Sequence, residues 1–433
     1  MNTFREIPTA DISTFKQNLI RFMDNQDYSC ILDSNNYSDD TYGAYDCLVA
    51  WGKKDLLAIQ ESKGAFAQLE DFLKQYSKEW AFGYLGYDLK NDLEDLKSCN
   101  THWSKFPESY FFIPEHIVLF KGNKLTCSQG IDPKSFIDMI GQYEDETKEF
   151  STPVLHPATP KLEYLETVQK IKDHILEGDI YEMNYCVEFT VSKLDRPAAD
   201  LFNDLNNRAK APFSAFLKIK NQCILSVSPE RYLKKTGNKL VSQPIKGTAP
   251  RHQDYSLDQI SKEKLRKSEK DQAENVMIVD LVRNDLAKVS NTGSVKVDEL
   301  FGIYPFNTVY QMISTISSDL KEGYGGLDAI KASFPMGSMT GAPKHRSMQL
   351  IDKYENSKRG VYSGAIGYFD PNGDFDFNVV IRSLLLDKEQ QKASFSVGGA
   401  IVYDSSPEGE YEECLVKAKA LLESLGLPIQ FDK

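Results

Sequence analysis

The chain has 433 residues, of which 51 are Lys or Arg and 63 are Asp or Glu, so its formal net charge at pH 7 is −12. An acid excess of this size argues against general nucleic-acid binding, which needs a basic surface. With 41% hydrophobic, 11% aromatic and 26% charged residues, the composition is that of a globular protein with about two or three domains, and it excludes disordered and fibrous chains.

Targeting signals and zinc motifs are absent from the sequence. The first 22 residues contain no apolar signal-peptide core, and no run of about 18 apolar residues occurs, which predicts a cytoplasmic location. The seven cysteines form no CxxC pair, and the six histidines have no HxxxH spacing. We therefore expect reduced thiols and, for any metal, oxygen ligands.

Residues 1–150 are predicted to form a first lobe. Strand-like aromatic segments occur at 80–89 and 109–120, and a helical pattern covers 65–77. The composition then becomes acidic and Pro-rich between Gly141 and Pro160, which predicts a connection between two lobes. We place a provisional boundary near residue 150, with a catalytic domain over 151–433.

The second lobe mixes helices with short strands. Apolar residues at helical spacing predict four helices, at 161–179, 261–288, 343–357 and 408–425. Continuous β-type runs cover 180–190, 213–219, 223–233, 239–246, 362–370, 375–387 and 393–404. Their order is that of a meander rather than of βαβ units, so the predicted fold class is α+β, with antiparallel sheets and helices packed on them.

Two of the predicted helices carry a pair of acids on one face. Asp271 and Glu274 lie three residues apart in the first helix, and Glu410 and Glu413 have the same spacing in the second. If both pairs face one pocket, they supply the hard oxygen ligands that Mg²⁺ prefers. The alternative is two solvated acidic faces, which are common on surface helices.

Two residues are candidates for covalent and acid–base catalysis. Lys246 precedes a Gly–Thr turn, and it is a candidate nucleophile if desolvation or a neighbouring cation lowers its pKa. The alternative is an exposed lysine at a strand end. Glu230 follows a Ser–Pro turn, where a dry pocket would raise its pKa for acid–base work. A surface glutamate is the alternative there.

Two segments are candidates for anion binding. Small and hydroxyl residues at 337–342 lead to Pro343, predicted as the first helical residue, so free N–H groups and the helix dipole favour a carboxylate or phosphate. Gly398 and Gly399 permit close backbone approach, and Arg382 is a candidate bidentate clamp for a carboxylate. The alternatives are a strand bulge and a solvated arginine.

Six sequence motifs occur in order along the chain: SPE at 228–230, PIKGTAPR at 244–251, AENVMIVDLVRNDL at 273–286, GSMTGAPK at 337–344, IRS at 381–383 and GGAIVYDS at 398–405. This series resembles the chorismate-utilising enzyme family over roughly residues 160–425, while residues 1–150 only weakly resemble the N-terminal lobe of anthranilate synthase component I. The resemblance implies a two-lobed α/β sandwich of antiparallel sheets with flanking helices, and an active site between the lobes.

The resemblance also implies roles for individual residues. Glu274 and Glu413 would be Mg²⁺ ligands, with Asp271 and Glu410 near the metal. Lys246 would be the covalent nucleophile, with Glu230 as proton donor and acceptor. The implied chorismate-binding residues are Gly247, Thr248, Ser338, Tyr368, Arg382, Gly398, Gly399 and Ala400.

The residue before Gly–Thr distinguishes branches of the family. With Lys246 at this position, the chain resembles the branch that converts chorismate and ammonia to 4-amino-4-deoxychorismate, for 4-aminobenzoate and folate synthesis. Anthranilate-forming members usually carry Ala there. Glu182 occupies the position of a base lysine in isochorismate and salicylate synthases, which speaks against activation of water at C2. Gln311 stands where related synthases often have a His near the leaving C4 hydroxyl.

The source of ammonia is expected to be a second protein. No GxCxGxQ glutaminase motif surrounds any of the seven cysteines, so glutamine use implies a separate glutamine amidotransferase subunit. Leu32–Asp33–Ser34 resembles a tryptophan-holding segment, which makes Ser34 a candidate tryptophan contact; a plain strand and turn is the alternative. The alternatives for activity are anthranilate formation and a non-catalytic subunit that binds chorismate or tryptophan.

Overall fold

Helices occur along the chain in both of the predicted lobes. The computed structural model describes residues 3–6, 12–122, 124–143 and 150–428. Within these ranges there are eleven α-helices: α1 (Ile12–Asp24), α2 (Ala65–Gln75), α3 (Lys90–Leu93), α4 (Pro133–Gly141), α5 (Lys161–Leu176), α6 (Ala198–Ala209), α7 (Tyr255–Arg266), α8 (Glu269–Ala287), α9 (Gly326–Ser333), α10 (Lys344–Tyr354) and α11 (Pro407–Ser424).

The same ranges contain twenty-two strands: β1 (Thr3–Glu6), β2 (Tyr28–Asp33), β3 (Cys47–Trp51), β4 (Asp55–Ile59), β5 (Ala81–Leu85), β6 (Ser109–Ile113), β7 (His116–Lys121), β8 (Lys124–Cys127), β9 (Val154–Pro157), β10 (Glu182–Ser192), β11 (Phe213–Ile219), β12 (Gln222–Ser228), β13 (Arg231–Thr236), β14 (Lys239–Gln243), β15 (Ile245–Pro250), β16 (Lys296–Pro305), β17 (Val309–Asp319), β18 (Gly341–Ala342), β19 (Ala365–Phe369), β20 (Phe375–Val379), β21 (Ser383–Asp387) and β22 (Lys392–Ile401).

Two large antiparallel sheets organise the chain. The first sheet has twelve strands in the order β1-β8-β7-β3-β2-β11-β12-β21-β22-β10-β18, with β9 paired to β10. The second has ten strands in the order β15-β17-β14-β13-β20-β19-β5-β6-β4, with β16 paired to β17. The predicted α+β class with antiparallel sheets and flanking helices is confirmed.

Three apolar clusters fill the layers of this sandwich. Side chains of β2, β3, β11 and β12 meet side chains of β5, β6 and β19 between the two sheets. The outer face of the first sheet is covered by α1, α4, α5, α6 and α11, and the outer face of the second by α2, α8 and α9. Each sheet thus buries both faces, as expected for strands with few polar positions.

Strands from both predicted lobes share each sheet. In the first sheet β2 pairs with β11, with Asp33 opposite Ser214; in the second, β5 pairs with β19, with Leu85 opposite Ala365. The boundary near residue 150 therefore does not divide the sheets, and two separate domains stay a prediction. None of the helices in the described ranges has the length and hydropathy needed to cross a bilayer.

The helix predicted over 261–288 is wrong in one respect, because the structure has two helices there. The hydroxyl of Ser268 accepts a hydrogen bond from the backbone N–H of Asp271 and caps the start of α8. This cap places Asp271 in the first turn of α8 and Glu274 one turn later. The predicted start of the next helix is wrong by one residue. Pro343 has an extended ψ of 138° and precedes α10, which begins at Lys344.

Two of the predicted continuous strands are each divided between the sheets. The run at 223–233 is β12 in the first sheet and β13 in the second, and the run at 375–387 is β20 in the second sheet and β21 in the first. The two crossings are hydrogen-bonded to each other, from Val227 N to Arg382 O at 3.2 Å and from Val379 N to Glu230 O at 3.1 Å. Glu230 and Arg382 therefore lie at opposite ends of these paired crossings, where the chain passes between the sheets.

Candidate active site

Lys246 joins the two sheets through a buried ion pair. It lies on β15 of the second sheet, and its Nζ is 2.6 Å from Oε1 of Glu182, at the start of β10 in the first sheet. Lys246 is 9% exposed and Glu182 is fully buried, so Lys246 is not the exposed strand-end lysine of the alternative interpretation. The pair closes one end of the space between the sheets.

The condition attached to Lys246 as a nucleophile, a lowered pKa, is not met in the folded chain. Burial by itself lowers the pKa of this ammonium, but Glu182 and Glu274 outweigh that effect, and the pKa is raised above its ordinary value. No neighbouring cation acts against these carboxylates among the causes of the shift. The resting state of Lys246 is therefore an ammonium paired with a carboxylate.

Gly247 brings the lysine strand against α8. Its φ is 94°, a conformation that glycine adopts without strain, and a Cβ at this position would lie 3.0 Å from the Cβ of Asp271. The pairing of β15 with β17 shifts register between Ile245 and Thr248. This irregularity displaces Lys246 from the regular ladder and lets its strand approach α8, which carries the first acid pair.

Glu230 is buried beside the lysine. Burial raises its pKa to about 7, although Ser338 and the positive charge of Lys246 act in the opposite direction. A carboxyl group that titrates near neutral pH can both donate and accept a proton under working conditions. This position is as predicted from the sequence, and the surface-glutamate alternative is excluded because only 5% of Glu230 is exposed.

Replacement of Glu230 by glutamine is expected to change the pH dependence of stability. The folded chain raises the pKa from 4.5 to about 7, so ionisation of Glu230 opposes folding, weakly near pH 4.5 and fully above pH 7. The Glu230→Gln variant should therefore gain up to roughly 3 kcal/mol of unfolding free energy relative to the parent as pH rises through this window. Urea unfolding of both chains between pH 4.5 and 8 measures it; a stability difference independent of pH contradicts the assignment.

The two predicted acid pairs face each other. Lys270 Nζ lies 3.7 Å from Oε1 of Glu274 on α8 and 4.0 Å from Oε1 of Glu410 on α11. A Cβ on Gly399 would lie 3.0 Å from Oε2 of Glu410 and 3.7 Å from Oε1 of Glu413. The acids and the glycine pair of β22 thus line one pocket, which excludes two independent solvated faces.

The acids differ in their surroundings. Burial raises the pKa of Glu274 to about 7 and also raises that of Glu410, whose Oε1 accepts a hydrogen bond from Ser405 at 2.6 Å. Burial acts in the same direction on Glu413, but Lys417 at 2.7 Å outweighs it and lowers the pKa. The side chain of Glu413 is 49% exposed, so it lies at the mouth of the pocket, with Glu274 deeper inside.

The residues present fit a divalent cation. Oε1 of Glu274 is buried and has no hydrogen-bond partner, which is the expected state of a carboxylate oxygen that needs a cation. The acids of α8 and α11 do not form a tight ligand cluster: among the described residues, the one group of three His, Cys, Asp or Glu side chains with ligand atoms within 4.8 Å of one another is His174, Glu177 and Asp179. Since Mg²⁺ usually binds only one or two carboxylates and takes its other ligands from substrate and water, a tight protein cluster is not required.

Four buried polar atoms at this site lack a hydrogen-bond partner: Oε2 of Glu182, Oε1 of Glu274, Oε1 of Gln311 and Oγ of Ser338. Gln311 is 1% exposed and lies opposite Thr248 in the pairing of β15 with β17. Native proteins leave few buried polar atoms unsatisfied. Their concentration around one lysine therefore indicates a polar ligand site.

Arg382 supplies a cation for such a ligand. Burial lowers the pKa of its guanidinium, and among the described residues no carboxylate contributes to the shift. Its φ of 51° is set by the crossing between β20 and β21. A partly exposed arginine without an acidic partner among the described residues fits the predicted clamp for a carboxylate.

The glycine pair of β22 permits close approach of neighbouring groups. A Cβ on Gly398 would lie 2.3 Å from the carbonyl oxygen of Tyr185 and 2.6 Å from Sγ of Cys186. Lys417 Nζ donates a hydrogen bond to Gly398 O at 2.7 Å. Ala400 follows in the same strand, opposite Asn184 of β10.

A buried hydrogen-bond network that was not predicted from the sequence positions Ser338. Arg359 donates to both carboxylate oxygens of Glu355, to Met339 O at 2.6 Å and to Asn184 O at 3.0 Å. Asn184 Nδ2 in turn donates to Ser338 O at 2.6 Å. Arg359 and Glu355 have the i,i+4 spacing that is also found in ordinary surface ion pairs. Their burial, which distinguishes this pair from surface pairs, is seen only in the folded structure.

The structure does not bring Tyr368 together with these residues. Its ring packs on Trp80 at 5.3 Å and lies 6.2 Å from Phe82, in the apolar layer between the sheets. Tyr362, six residues earlier, has its hydroxyl 3.6 Å from Sγ of Cys186, the residue opposite Gly398 in the pairing of β10 with β22. The chorismate contact of Tyr368 stays a prediction.

Ser34 lies apart from the acid pocket. It follows β2, and its N–H donates to Asp46 O at 2.8 Å, while the preceding Asp33 pairs with Lys16 at 2.7 Å. A small pocket nearby is lined by Tyr37 and Phe306. Tryptophan binding stays a prediction.

Comparison with known proteins places this site in a family. The chloroplastic aminodeoxychorismate synthase of Arabidopsis thaliana is 35% identical over 395 residues, covering 85% of this chain and 42% of that protein. Aminodeoxychorismate synthase component 1 of Escherichia coli (strain K12) is 41% identical over 362 residues, covering 80% of this chain and 76% of that protein. This chain thus spans less than half of the plant relative and three quarters of the bacterial one.

Solved structures agree with this result. Anthranilate synthase component I from Streptococcus pneumoniae TIGR4 superposes with a TM-score of 0.74 at 25% identity, covering 86% of this chain and 91% of that one. The family described as chorismate binding enzyme matches residues 28–423, a range that contains both sheets' central strands and every residue of the site. The chain therefore belongs to the chorismate binding enzyme family.

Proposed function

We propose that this protein converts chorismate and ammonia to 4-amino-4-deoxychorismate. The observation that carries the proposal is the burial of Lys246 between the sheets, beside Glu230, whose carboxyl group has a pKa of about 7. The relatives named aminodeoxychorismate synthase support the choice of reaction. A cytoplasmic location and a role in 4-aminobenzoate and folate synthesis belong to the same proposal.

The first chemical step is attack of Lys246 Nζ on C2 of chorismate. The Nζ lone pair forms the N–C2 bond, the two ring double bonds each shift by one position, and the C4–O bond breaks. The hydroxyl leaves as water with a proton from Glu230. Covalent catalysis of this kind replaces one difficult displacement by two allylic ones.

The second step is attack of ammonia at C4. The double bonds shift back, the N–C2 bond breaks, and Lys246 recovers its electron pair. Glu230 takes the proton that the new C4 ammonium group loses, so it ends in its starting state. The sum is chorismate and ammonia giving 4-amino-4-deoxychorismate and water.

Binding of the dianionic substrate falls to cations and N–H groups of the pocket. Arg382 and the backbone N–H groups of Gly398 to Ala400 would bind the carboxylate of the enolpyruvyl side chain. Ser338 supplies a hydroxyl near Glu230, and Gly247 and Thr248 lie next to the nucleophile.

Magnesium is part of the proposal. Glu274 and Glu413 would hold Mg²⁺, with Asp271 and Glu410 in support, and the ion would neutralise the ring carboxylate of chorismate. The positive charge would offset the repulsion between a dianion and a protein of net charge −12. The ammonia source in this proposal is a separate glutamine amidotransferase subunit, as the "component 1" in the name of the bacterial relative suggests.

Product analysis tests the proposal. The purified chain is incubated with chorismate, ammonium and MgCl₂, and with the same mixture after chelation by EDTA. We expect 4-amino-4-deoxychorismate by chromatography and mass spectrometry only where magnesium and ammonium are present together, and no use of glutamine by the chain alone. Anthranilate and pyruvate as products would replace the proposal by anthranilate synthesis, and chorismate binding without turnover would leave a binding subunit.

A further inference from the structure

The nucleophile of this site starts in the wrong protonation state for attack. Lys246 Nζ lies 2.6 Å from Oε1 of Glu182 in a buried ion pair, a contact that holds the lysine as an ammonium. An ammonium nitrogen has no free electron pair and cannot form a bond to carbon. The reaction proposed above therefore requires a group that removes one proton from Nζ before attack.

Geometry leaves one acceptor for that proton. In the described part of the chain, Glu182 is the only carboxylate with an oxygen within 4.0 Å of Nζ. Glu230 influences Lys246 electrostatically, but it is not within this distance, and its own proton is needed at the leaving hydroxyl. Direct proton transfer requires hydrogen-bond distance, which only Glu182 satisfies.

The fold holds Glu182 rigidly in this position. Its backbone pairs with Ala342 of β18, its carbonyl oxygen accepts a hydrogen bond from Ser347 Oγ at 3.2 Å, and the N–H of Tyr181 donates to Ala342 O at 2.7 Å. The carboxylate is fully buried, and its Oε2 has no hydrogen-bond partner. No other donor therefore competes with Lys246 for this group among the described residues.

We propose that Glu182 is the general base that deprotonates Lys246, an inference that rests on the proposed function. One N–H bond of the ammonium breaks and an O–H bond forms on the Glu182 carboxylate, while the electron pair stays on Nζ and then forms the bond to C2. When the N–C2 bond breaks in the second step, Glu182 returns the proton to the departing amine. The base and the nucleophile both end as they began.

The main test is the Glu182→Gln variant. Its amide oxygen can accept a hydrogen bond from the ammonium at the same length, but it cannot take the proton. We expect kcat to fall by about 100-fold or more, with the chorismate dissociation constant within threefold of the parent. In single-turnover mixtures without ammonium, the Lys246–substrate adduct seen by mass spectrometry should form more slowly by the same factor. A kcat within threefold of the parent would falsify the inference.

Chemical rescue separates a base from a structural support. The Glu182→Ala variant opens a space beside Lys246, and formate added to the assay can occupy it as a carboxylate. A rise in the rate of adduct formation of tenfold or more with formate, but not with chloride at equal ionic strength, supports the inference. No rescue, together with a chorismate dissociation constant raised more than tenfold, assigns Glu182 a structural role and overturns it.

The matched control is Glu188→Gln. Glu188 is a buried glutamate of the same strand, 6% exposed, and its Oε1 lies 3.5 Å from Nε2 of His102 rather than beside Lys246. We expect this variant to form adduct and product at the parental rate. If the parent chain makes no 4-amino-4-deoxychorismate, the proposed function fails; if parent and Glu182→Gln make it equally fast, only the role of Glu182 fails.

Discussion

Replacement of Lys246 by methionine is expected to lower the rate of 4-amino-4-deoxychorismate formation by about 100-fold or more, because a single direct displacement must replace the two steps through a covalent intermediate. Methionine keeps most of the length and volume of the side chain and removes only the amine. Mass spectrometry of the quenched reaction should show the adduct on the parent chain and none on the variant. Thermal unfolding of both chains checks that the fold is intact, since Glu182 loses its partner.

Lys234 offers a control for this experiment. It is a second buried lysine of the same sheet, 7% exposed, and its partner Asp376 is also held by Arg231. The Lys234→Met variant should therefore keep adduct formation. Full product formation by Lys246→Met would show that the amine is not the nucleophile, and the site would then need a direct route from ammonia to C4.

Arg359→Met is expected to cost about 3–5 kcal/mol of unfolding free energy, since it leaves the Glu355 carboxylate buried without its ion-pair partner. Both side chains are 3% exposed, and they approach to 2.6 Å. The change also removes the donors to Met339 O and Asn184 O. Denaturant unfolding at pH 7 measures the loss, and a change below about 1 kcal/mol would contradict the importance of this pair.

The double variant Glu355→Gln with Arg359→Met identifies the cause of that loss. The double variant no longer buries an unpaired Glu355 carboxylate, and it lacks the same Arg359 hydrogen bonds to backbone carbonyls as the single variant. We therefore expect it to be clearly more stable than Arg359→Met alone. Equal stability of the two variants would place the cost in the lost backbone contacts instead. In either variant Ser338 loses part of its support, and chorismate binding should weaken.

Much of this site could be predicted from residue types and spacing. The i,i+3 spacing offered two interpretations for the acids of α8 and α11, a shared site or two solvated faces, and the structure brings Glu274 and Glu410 to the same lysine. Glu230 and Lys246 were chosen from their short motifs. What could not be predicted is the state of Lys246. Its pKa depends on Glu182, which is 64 positions away in the chain and in the other sheet, and no local pattern carries that information.

The crossings between the sheets were missed for a similar reason. Buried strands are apolar on both faces, so β20 and β21 look like one long run. The change of sheet is visible only at Arg382, whose positive φ is uncommon for a residue with a side chain. Arg359 and Glu355 were missed because the spacing of two charged residues in the sequence does not show whether the ion pair is buried or exposed to solvent.

The mixed composition of the sheets has a consequence for how the chain is made. Strand β2 needs β11, and β5 needs β19, so early strands wait for partners about 180 and 280 residues later in the chain. During synthesis on the ribosome, one edge of β2 therefore stays unpaired until about half of the chain has been translated, and one edge of β5 until most of it has. Unpaired edges of apolar strands can add to other chains, which makes the half-synthesised chain a substrate for chaperones.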